Sequence, residues 1–208
     1  TGATFQASSA FSGLIAVNYN VIVKDDSNCS SAMSVVAVNQ PAALTFTTST
    51  VNVSCNGLTD GSITVTAAGG TVAYQYSKDN GATFQAGNVF SSLAAGSYTI
   101  VVKDAHACST SSLVTLTQPT AVTASVATAN VSCNGGSNGT ITVTAGGGSG
   151  AGYQYSSDNG GSFQASNTFS GLTAGSYTVI VKDGANCTSA SVPVTITQPT
   201  AISFSTTN

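Results

Sequence analysis

One stretch occurs three times in this chain, as Leu172-Thr-Ala-Gly-Ser-Tyr-Thr-Val-Ile-Val-Lys-Asp183, Leu93-Ala-Ala-Gly-Ser-Tyr-Thr-Ile-Val-Val-Lys-Asp104 and Leu14-Ile-Ala-Val-Asn-Tyr-Asn-Val-Ile-Val-Lys-Asp25. Read at period two, Tyr177, Val179 and Val181 share one face. Thr178, Ile180 and Lys182 share the other. β-Branched and aromatic residues fill nearly every position, which is typical of strands. The stretch therefore predicts the central strand of a β-sandwich, present three times.

The residues ahead of this strand read Leu-x-x-Gly-x-Tyr in two of the copies, whereas the first copy has Val17 in place of the Gly. This arrangement resembles the corner of immunoglobulin-like sandwiches, where a Tyr early in a strand bonds back to the chain that leads into it. The resemblance implies that Tyr19, Tyr98 and Tyr177 are structural corner residues. The expected fold class is all-β, built from tandem immunoglobulin-like β-sandwich repeats.

The amino-acid composition limits the kinds of partner that the chain can bind. Charged residues make up 5% of the 208 residues, with four Lys, seven Asp, no Arg and no Glu, and the formal net charge is −3. Without Arg the chain cannot make bidentate contacts to phosphate or guanine, so we expect no nucleic-acid partner. No apolar run approaches the roughly 20 residues of a membrane span, so we expect no membrane insertion.

The repeat length is about 79 residues. Asn-Val-Ser-Cys-Asn-Gly occurs at 52–57 and 130–135, and Gln-Pro recurs at the end of each unit. The sequence predicts four segments, because a fixed period of this size indicates a tandem array. They are the C-terminal half of an incomplete repeat at 1–41, complete repeats at 42–119 and 120–199, and the first strand of a following repeat at 200–208.

The five cysteines follow the repeat and do not have the spacing of a metal site. We expect disulfides within a repeat, Cys55–Cys108 and Cys133–Cys187, with the partner of Cys29 upstream of the chain. The competing pairing joins successive repeats, Cys29–Cys55 and Cys108–Cys133, and free thiols are a third possibility. Either pairing implies an oxidising, extracytoplasmic location.

Catalysis and metal binding have little support in the sequence. His106 is the only His, and it has one acid nearby, so a general base with a fixed partner is not expected. Asp25, Asp104 and Asp183 end the central strands and are expected to cap turns, because calcium needs several converging oxygens. The same holds for the turn residues Asp79 and Asp158. We expect no enzyme, no metal and no cofactor.

One feature departs from simple alternation. The outward positions Ile22, Val101 and Ile180 are apolar in all three copies, although a solvated face should be polar. One interpretation is that a loop or a neighbouring strand covers these apolar side chains. The alternative is that they form a contact between repeats or between chains.

The combined motif resembles the SprB-type repeat. It runs from Cys133-Asn-Gly-Gly-Ser-Asn-Gly-Thr-Ile-Thr-Val-Thr144 through Tyr153-Gln-Tyr155 and the central strand to Cys187 and Thr195-Ile-Thr-Gln-Pro199. The resemblance implies a very long bacterial cell-surface protein, of a family that includes gliding-motility adhesins. The expected function is a structural or adhesive segment, a stalk or adhesin filament, located outside the cell. Its expected partners are neighbouring repeats and other copies in a filament, with surface glycans as a possible ligand.

Two alternatives accompany this hypothesis. The incomplete repeat at 1–41 would leave a core open, which favours a self-assembling extracellular fibre completed by strand exchange between chains. A secreted carbohydrate-binding module is the other, but it would need exposed aromatic residues on one face. The chain has no Trp.

Overall fold

The structure, a computed structural model, describes residues 4–206. Residues 1–3 of the first predicted segment and 207–208 of the last lie outside this range. The described residues form strands and loops without any helix, and therefore without a helix able to span a membrane. Residues 4–41 contain two paired strands, β1 (Asn18–Val21) and β2 (Ser34–Ala37).

Each of the two longer segments contains six strands. In residues 42–119 they are β3 (Thr45–Val51), β4 (Gly61–Ala68), β5 (Gln75–Ser77), β6 (Val89–Leu93), β7 (Gly96–Lys103) and β8 (Ser109–Leu116). In residues 120–199 they are β9 (Thr120–Ala129), β10 (Gly139–Gly148), β11 (Gln154–Ser156), β12 (Thr168–Leu172), β13 (Gly175–Lys182) and β14 (Val192–Ile196).

Two antiparallel three-stranded sheets make up each of these segments. Their strand orders are β3-β4-β6 and β5-β7-β8 in the first, and β12-β10-β9 and β11-β13-β14 in the second. The central strands face each other across the core, where Ile63 and Val65 of β4 and Ile100 and Val102 of β7 are all fully buried. The all-β, immunoglobulin-like sandwich expected from the sequence is therefore the fold of the chain.

The three corner tyrosines make the same hydrogen bond. Tyr98 donates its hydroxyl to the carbonyl of Ala94 at 2.9 Å, and Tyr177 donates to Thr173 at 3.0 Å. Tyr19 makes the equivalent bond to Ile15 at 3.1 Å, although Val17 replaces the Gly of the other copies. Each bond holds the chain that leads into the central strand.

The segment at 4–41 has the central strand of the fold without the sheet that covers it. Val23 is 69% exposed, whereas the equivalent Val102 is fully buried. The other exposed apolar side chains of this segment are Phe5, Phe11, Leu14, Ile15, Val17, Ile22, Met33, Val35 and Val36. At the other end of the chain Ile202 and Phe204 are also exposed, at 101% and 91%.

Candidate functional site at the junction between repeats

Each complete sandwich has two distinct ends, and one cysteine lies at each of them. The loop with Cys55 lies at the end where the repeat finishes, because the Val53 N–H donates to the Thr117 carbonyl at 3.0 Å. The loop with Cys108 lies at the end where the repeat begins. There Thr71 donates its N–H to the Asp104 carboxylate at 2.9 Å, and the neighbouring Gly70 bonds to Ala42.

The structure joins Cys55 to Cys187 by a disulfide, with a Cα–Cα distance of 5.5 Å. This bond connects the finishing end of repeat 42–119 to the beginning of repeat 120–199. Cys187 is 6% exposed and belongs to the core of the second repeat, against which Cys55 also packs. Cys29, Cys108 and Cys133 are exposed and unpaired in the described part of the chain.

The observed bond corrects both pairings expected from the sequence. A disulfide requires Cα atoms within about 7 Å. Cys55 and Cys108 lie at opposite ends of the eight-residue strand β7, which spans roughly 25 Å at the usual rise per residue. The same separation keeps Cys133 from Cys187. The alternative pairing was right that disulfides join successive repeats. It paired the second cysteine of one repeat with the first cysteine of the next, whereas the structure pairs the first cysteine of one repeat with the second cysteine of the next.

Amide side chains hold the Cys55 loop against the linker between the repeats. Gln118 accepts the Gly57 N–H at 2.8 Å, and the Asn56 side chain donates to the Pro119 carbonyl at 3.1 Å. Sequence reasoning recognised the two motifs, Asn-Val-Ser-Cys-Asn-Gly and Gln-Pro, only as markers of the period. Their joint recurrence at each boundary was the available sign that they bind each other.

On the other side of the junction, the Cys187 loop is organised by a buried carboxylate. Asp183 is 2% exposed. Its Oδ1 accepts the N–H groups of Ala185 at 3.0 Å and Cys187 at 2.8 Å, and its Oδ2 accepts that of Ser149 at 2.7 Å. Gly148 must be glycine here, because its φ is +59° and a Cβ would lie 2.3 Å from Oδ2. Asp183 therefore fixes the backbone that presents the Cys187 sulfur.

The two turn carboxylates expected to cap turns do so. Asp158 accepts the Ser156 hydroxyl at 2.6 Å, together with the N–H and hydroxyl of Ser162. Asp79 makes the same set of bonds with Ser77 and Thr83. The side-chain bond from the serine two residues earlier is the main cause that holds the pKa of each carboxyl far below its ordinary value. Both turns are thus closed by bonds within the loop.

The Asp residues make the free energy of unfolding depend on pH in the acid range. Burial raises the pKa of Asp183, but the N–H groups of Ser149, Cys187 and Ala185 outweigh it, and the pKa lies below its ordinary value. The bond from Thr71 is the main cause that lowers the pKa of Asp104, and the Ser54 hydroxyl does so for Asp60.

We expect the free energy of unfolding to be constant from pH 8 to about 5 and to fall as the pH drops through 3.8 and below. Carboxyls with lowered folded-state pKa values bind protons more readily in the unfolded chain, whose ordinary value is 3.8, so acid favours unfolding. Urea titrations at several pH values, without reductant, measure this. A urea midpoint that stays level down to pH 2 would contradict the expectation.

Asp60 and Asn138 occupy equivalent places in the two repeats. Asp60 Oδ1 accepts the Ser54 N–H, and Asn138 Oδ1 accepts the Ser132 N–H, both at 3.0 Å. Asp60 also accepts the Ser54 hydroxyl, whereas the Asn138 amide donates to the Ser132 hydroxyl at 2.7 Å. An amide and a carboxylate can therefore brace the same loop.

We expect Asp60→Asn to leave the urea midpoint at pH 7 nearly unchanged, since an amide oxygen replaces a carboxylate oxygen in the same bond. Asp60→Ala is the matched comparison and should be clearly less stable, because it leaves the Ser54 N–H without its acceptor. Urea denaturation of the two variants measures the difference, and equal losses would contradict the role of the bond.

The remaining sequence candidates lie apart from this junction or support it locally. His106 is exposed, and its backbone N–H, not its imidazole, donates to Asp104 at 2.9 Å. Asp25 accepts the Cys29 N–H at 2.8 Å in the same loop of the first segment. Ile180 is half-buried beside the turn at Gly160 and the Phe163 ring. That loop covers the apolar outward position in this repeat.

Comparison with known proteins finds one family match in each of the two longer segments. Residues 47–83 and 125–162 match the sequence model of the family described as SprB repeat, which confirms the expected resemblance at these two segments. No curated protein matches the chain. Similar solved structures include the fibronectin(III)-like modules of Clostridium thermocellum CbhA, at 17% identity over 67% of this chain and 85% of that chain, with a TM-score of 0.32.

Two further structures have a similar degree of likeness. Domains 4 and 5 of the S-layer protein SbsC are 17% identical over 76% of this chain and 98% of that chain, with a TM-score of 0.31. The amphioxus IgVJ-C2 molecule is 13% identical over 77% and 99%, with a TM-score of 0.30.

Proposed function

Because residues 47–83 and 125–162 match the SprB repeat family, we propose that this chain is a segment of a long extracellular bacterial surface protein, a stalk or adhesin filament. Its work is mechanical and involves no catalysis. Its immediate partners are neighbouring repeats of the same protein.

The disulfide between repeats is the observation that carries this proposal. A bond within one sandwich would stabilise that unit alone, whereas Cys55–Cys187 ties two units together across their linker. The Gln118 and Asn56 bonds fix the same joint without covalent chemistry. Such a joint resists separation of the units, which suits a stalk. Structural disulfides are also typical of the oxidising space outside the cytoplasm.

Electron microscopy of intact cells of the source organism tests this function. Gold-labelled antibodies raised against the 208-residue chain should bind without permeabilisation, along fibres that extend from the surface. Mild proteolysis of intact cells should remove the label. Labelling that appears only after the cells are opened would refute the surface location.

The exposed ends favour a second candidate, a fibre subunit whose copies associate. The open face of residues 4–41 and the exposed Ile202 and Phe204 offer apolar surface that a solitary chain leaves in water. Exchange of the last strand alone would not restore the native pairing. In a complete repeat the first strand, β9, pairs only with β10, and residues 4–41 contain no equivalent of β10.

Light scattering of the purified chain distinguishes the candidates. The variant Cys29→Ser/Cys108→Ser/Cys133→Ser removes accidental disulfides between chains. A fibre subunit should form assemblies that grow with concentration, and Val23→Ser should weaken them. A monomer at every concentration would leave the stalk as the supported function.

A further inference from the structure

We propose that Cys108 and Cys133 each form an inter-repeat disulfide like Cys55–Cys187, Cys108 with the preceding repeat and Cys133 with the following one. The bond would then recur at every junction of the array. The first cysteine of each repeat would pair with the second cysteine of the next. This inference rests on the tandem repetition in the proposed function but not on the surface location.

The Cys133 loop is built as a copy of the Cys55 loop. Gly135 donates its N–H to Gln198 at 2.8 Å, and the Asn134 side chain donates to the Pro199 carbonyl at 3.0 Å. The same two bonds hold the Cys55 loop, at 2.8 and 3.1 Å. Cys133 therefore stands beside the Gln-Pro linker in the position that Cys55 occupies at the closed junction.

The Cys108 loop is likewise a copy of the Cys187 loop. Asp104 Oδ1 accepts the Cys108 N–H at 2.9 Å, and the Asp104 N–H bonds to the Cys108 carbonyl at 2.9 Å. In the Cys187 loop the corresponding distances from Asp183 are 2.8 and 3.0 Å. The residue before the cysteine has a positive φ in both loops, +63° at Ala107 and +66° at Asn186. Each loop presents its sulfur at the beginning of a repeat.

The seat for a further repeat is open in this chain. A shallow groove beside Cys133 is lined by residues 132–134 and 199–202. At the closed junction the equivalent loop contacts its partner, and the Cys187 sulfur lies 3.4 Å from the Ser54 carbonyl oxygen. Val122, in the first strand of repeat 120–199, is 7% exposed, whereas the equivalent Ile202 is fully exposed. A following repeat is thus the occupant that completes both the strand and the disulfide.

The bond forms by ordinary thiol–disulfide exchange. The two cysteine thiols lose two protons and two electrons and form one S–S bond. The oxidant is a disulfide compound, such as oxidised glutathione or an oxidised dithiol protein, which takes up both and leaves as two thiols.

The test extends the chain by one repeat. Residues 1–199 are followed directly by a second copy of residues 42–119, whose Cys55 is changed to Ser, and the original Cys108 is also changed to Ser. A peptide that contains Cys108 can then come only from the added repeat. After oxidation with glutathione, non-reducing peptide mapping should find Cys55–Cys187 and a bond from Cys133 to the added Cys108. Only Cys29 should react with a thiol label.

The control and the opposing result are both direct. With Cys133→Ser in the extended chain, the added Cys108 should become labelled while Cys55–Cys187 still forms. That internal bond also shows that the extended chain has folded. If it forms but Cys133 and the added Cys108 both remain labelled, the recurring bond is wrong, although the surface location tested by microscopy could still hold.

Discussion

Reducing the Cys55–Cys187 disulfide while the chain is stretched between its ends is expected to lengthen it by roughly 450 Å, because the bond bypasses 132 residues that each span about 3.4 Å when extended. Tension applied to the two ends passes from Cys55 directly to Cys187 and does not reach the strands between them. With the bond intact, unfolding of either sandwich therefore adds only the length of the residues outside this interval, which include β3 and β14. Optical tweezers with handles at the two termini, before and after addition of dithiothreitol, measure the difference.

Two variants make this prediction specific. Cys55→Ser should show the full extension without reductant. Cys29→Ser/Cys108→Ser/Cys133→Ser, which leaves the bond intact, should behave as the parent chain does. A parent chain that reaches its full extension under oxidising conditions would show that the bond is absent or does not bear the load.

Asp183→Ala is expected to lower the stability of repeat 120–199 by about 3 kcal/mol or more. Three backbone N–H groups lose their acceptor, and each stranded donor in a buried site costs about 1–3 kcal/mol. For a unit of about 80 residues, a loss of that size lowers the melting temperature by more than about 10 °C. Calorimetry of the whole chain should show one transition moving to lower temperature while that of residues 42–119 remains.

Equivalent positions supply the controls. Asp104→Ala should move the transition of residues 42–119 and leave the other in place, because Asp104 holds the same loop there. Asp25→Ala should move neither transition, since Asp25 is exposed in the uncovered segment. Equal shifts from all three variants would mean that the carboxylates act through net charge and not through the loops they hold.

Alternation and turn residues were enough to predict the sandwich. Tyr177 and Val179 share a face in the structure as in the sequence, and Asn159 has the positive φ of 60° that an Asn-Gly turn requires. These features are local, so residues a few positions apart determine them. The corner bond from Tyr177 spans only four residues and is local in the same sense.

The disulfide could not be predicted, because its partners are determined by which end of a sandwich each loop occupies. That depends on the direction of the whole strand β7 or β13 and on the path of the linker, and neither follows from cysteine spacing. The place of Phe163 likewise depends on the turn at Asp158. Its half-buried ring lies on the outer side of the sheet beside Ile180, where the Lys182 ammonium is 4.6 Å from the ring centre.

The ring of chain closed by the Cys55–Cys187 disulfide contains strands of both sandwiches. It therefore also affects how the protein resists proteolysis. A protease that cuts one peptide bond anywhere between Cys55 and Cys187 leaves two pieces that the sulfur atoms still hold together. The exposed loop at His106 lies inside that interval, so a nick there would not sever the molecule.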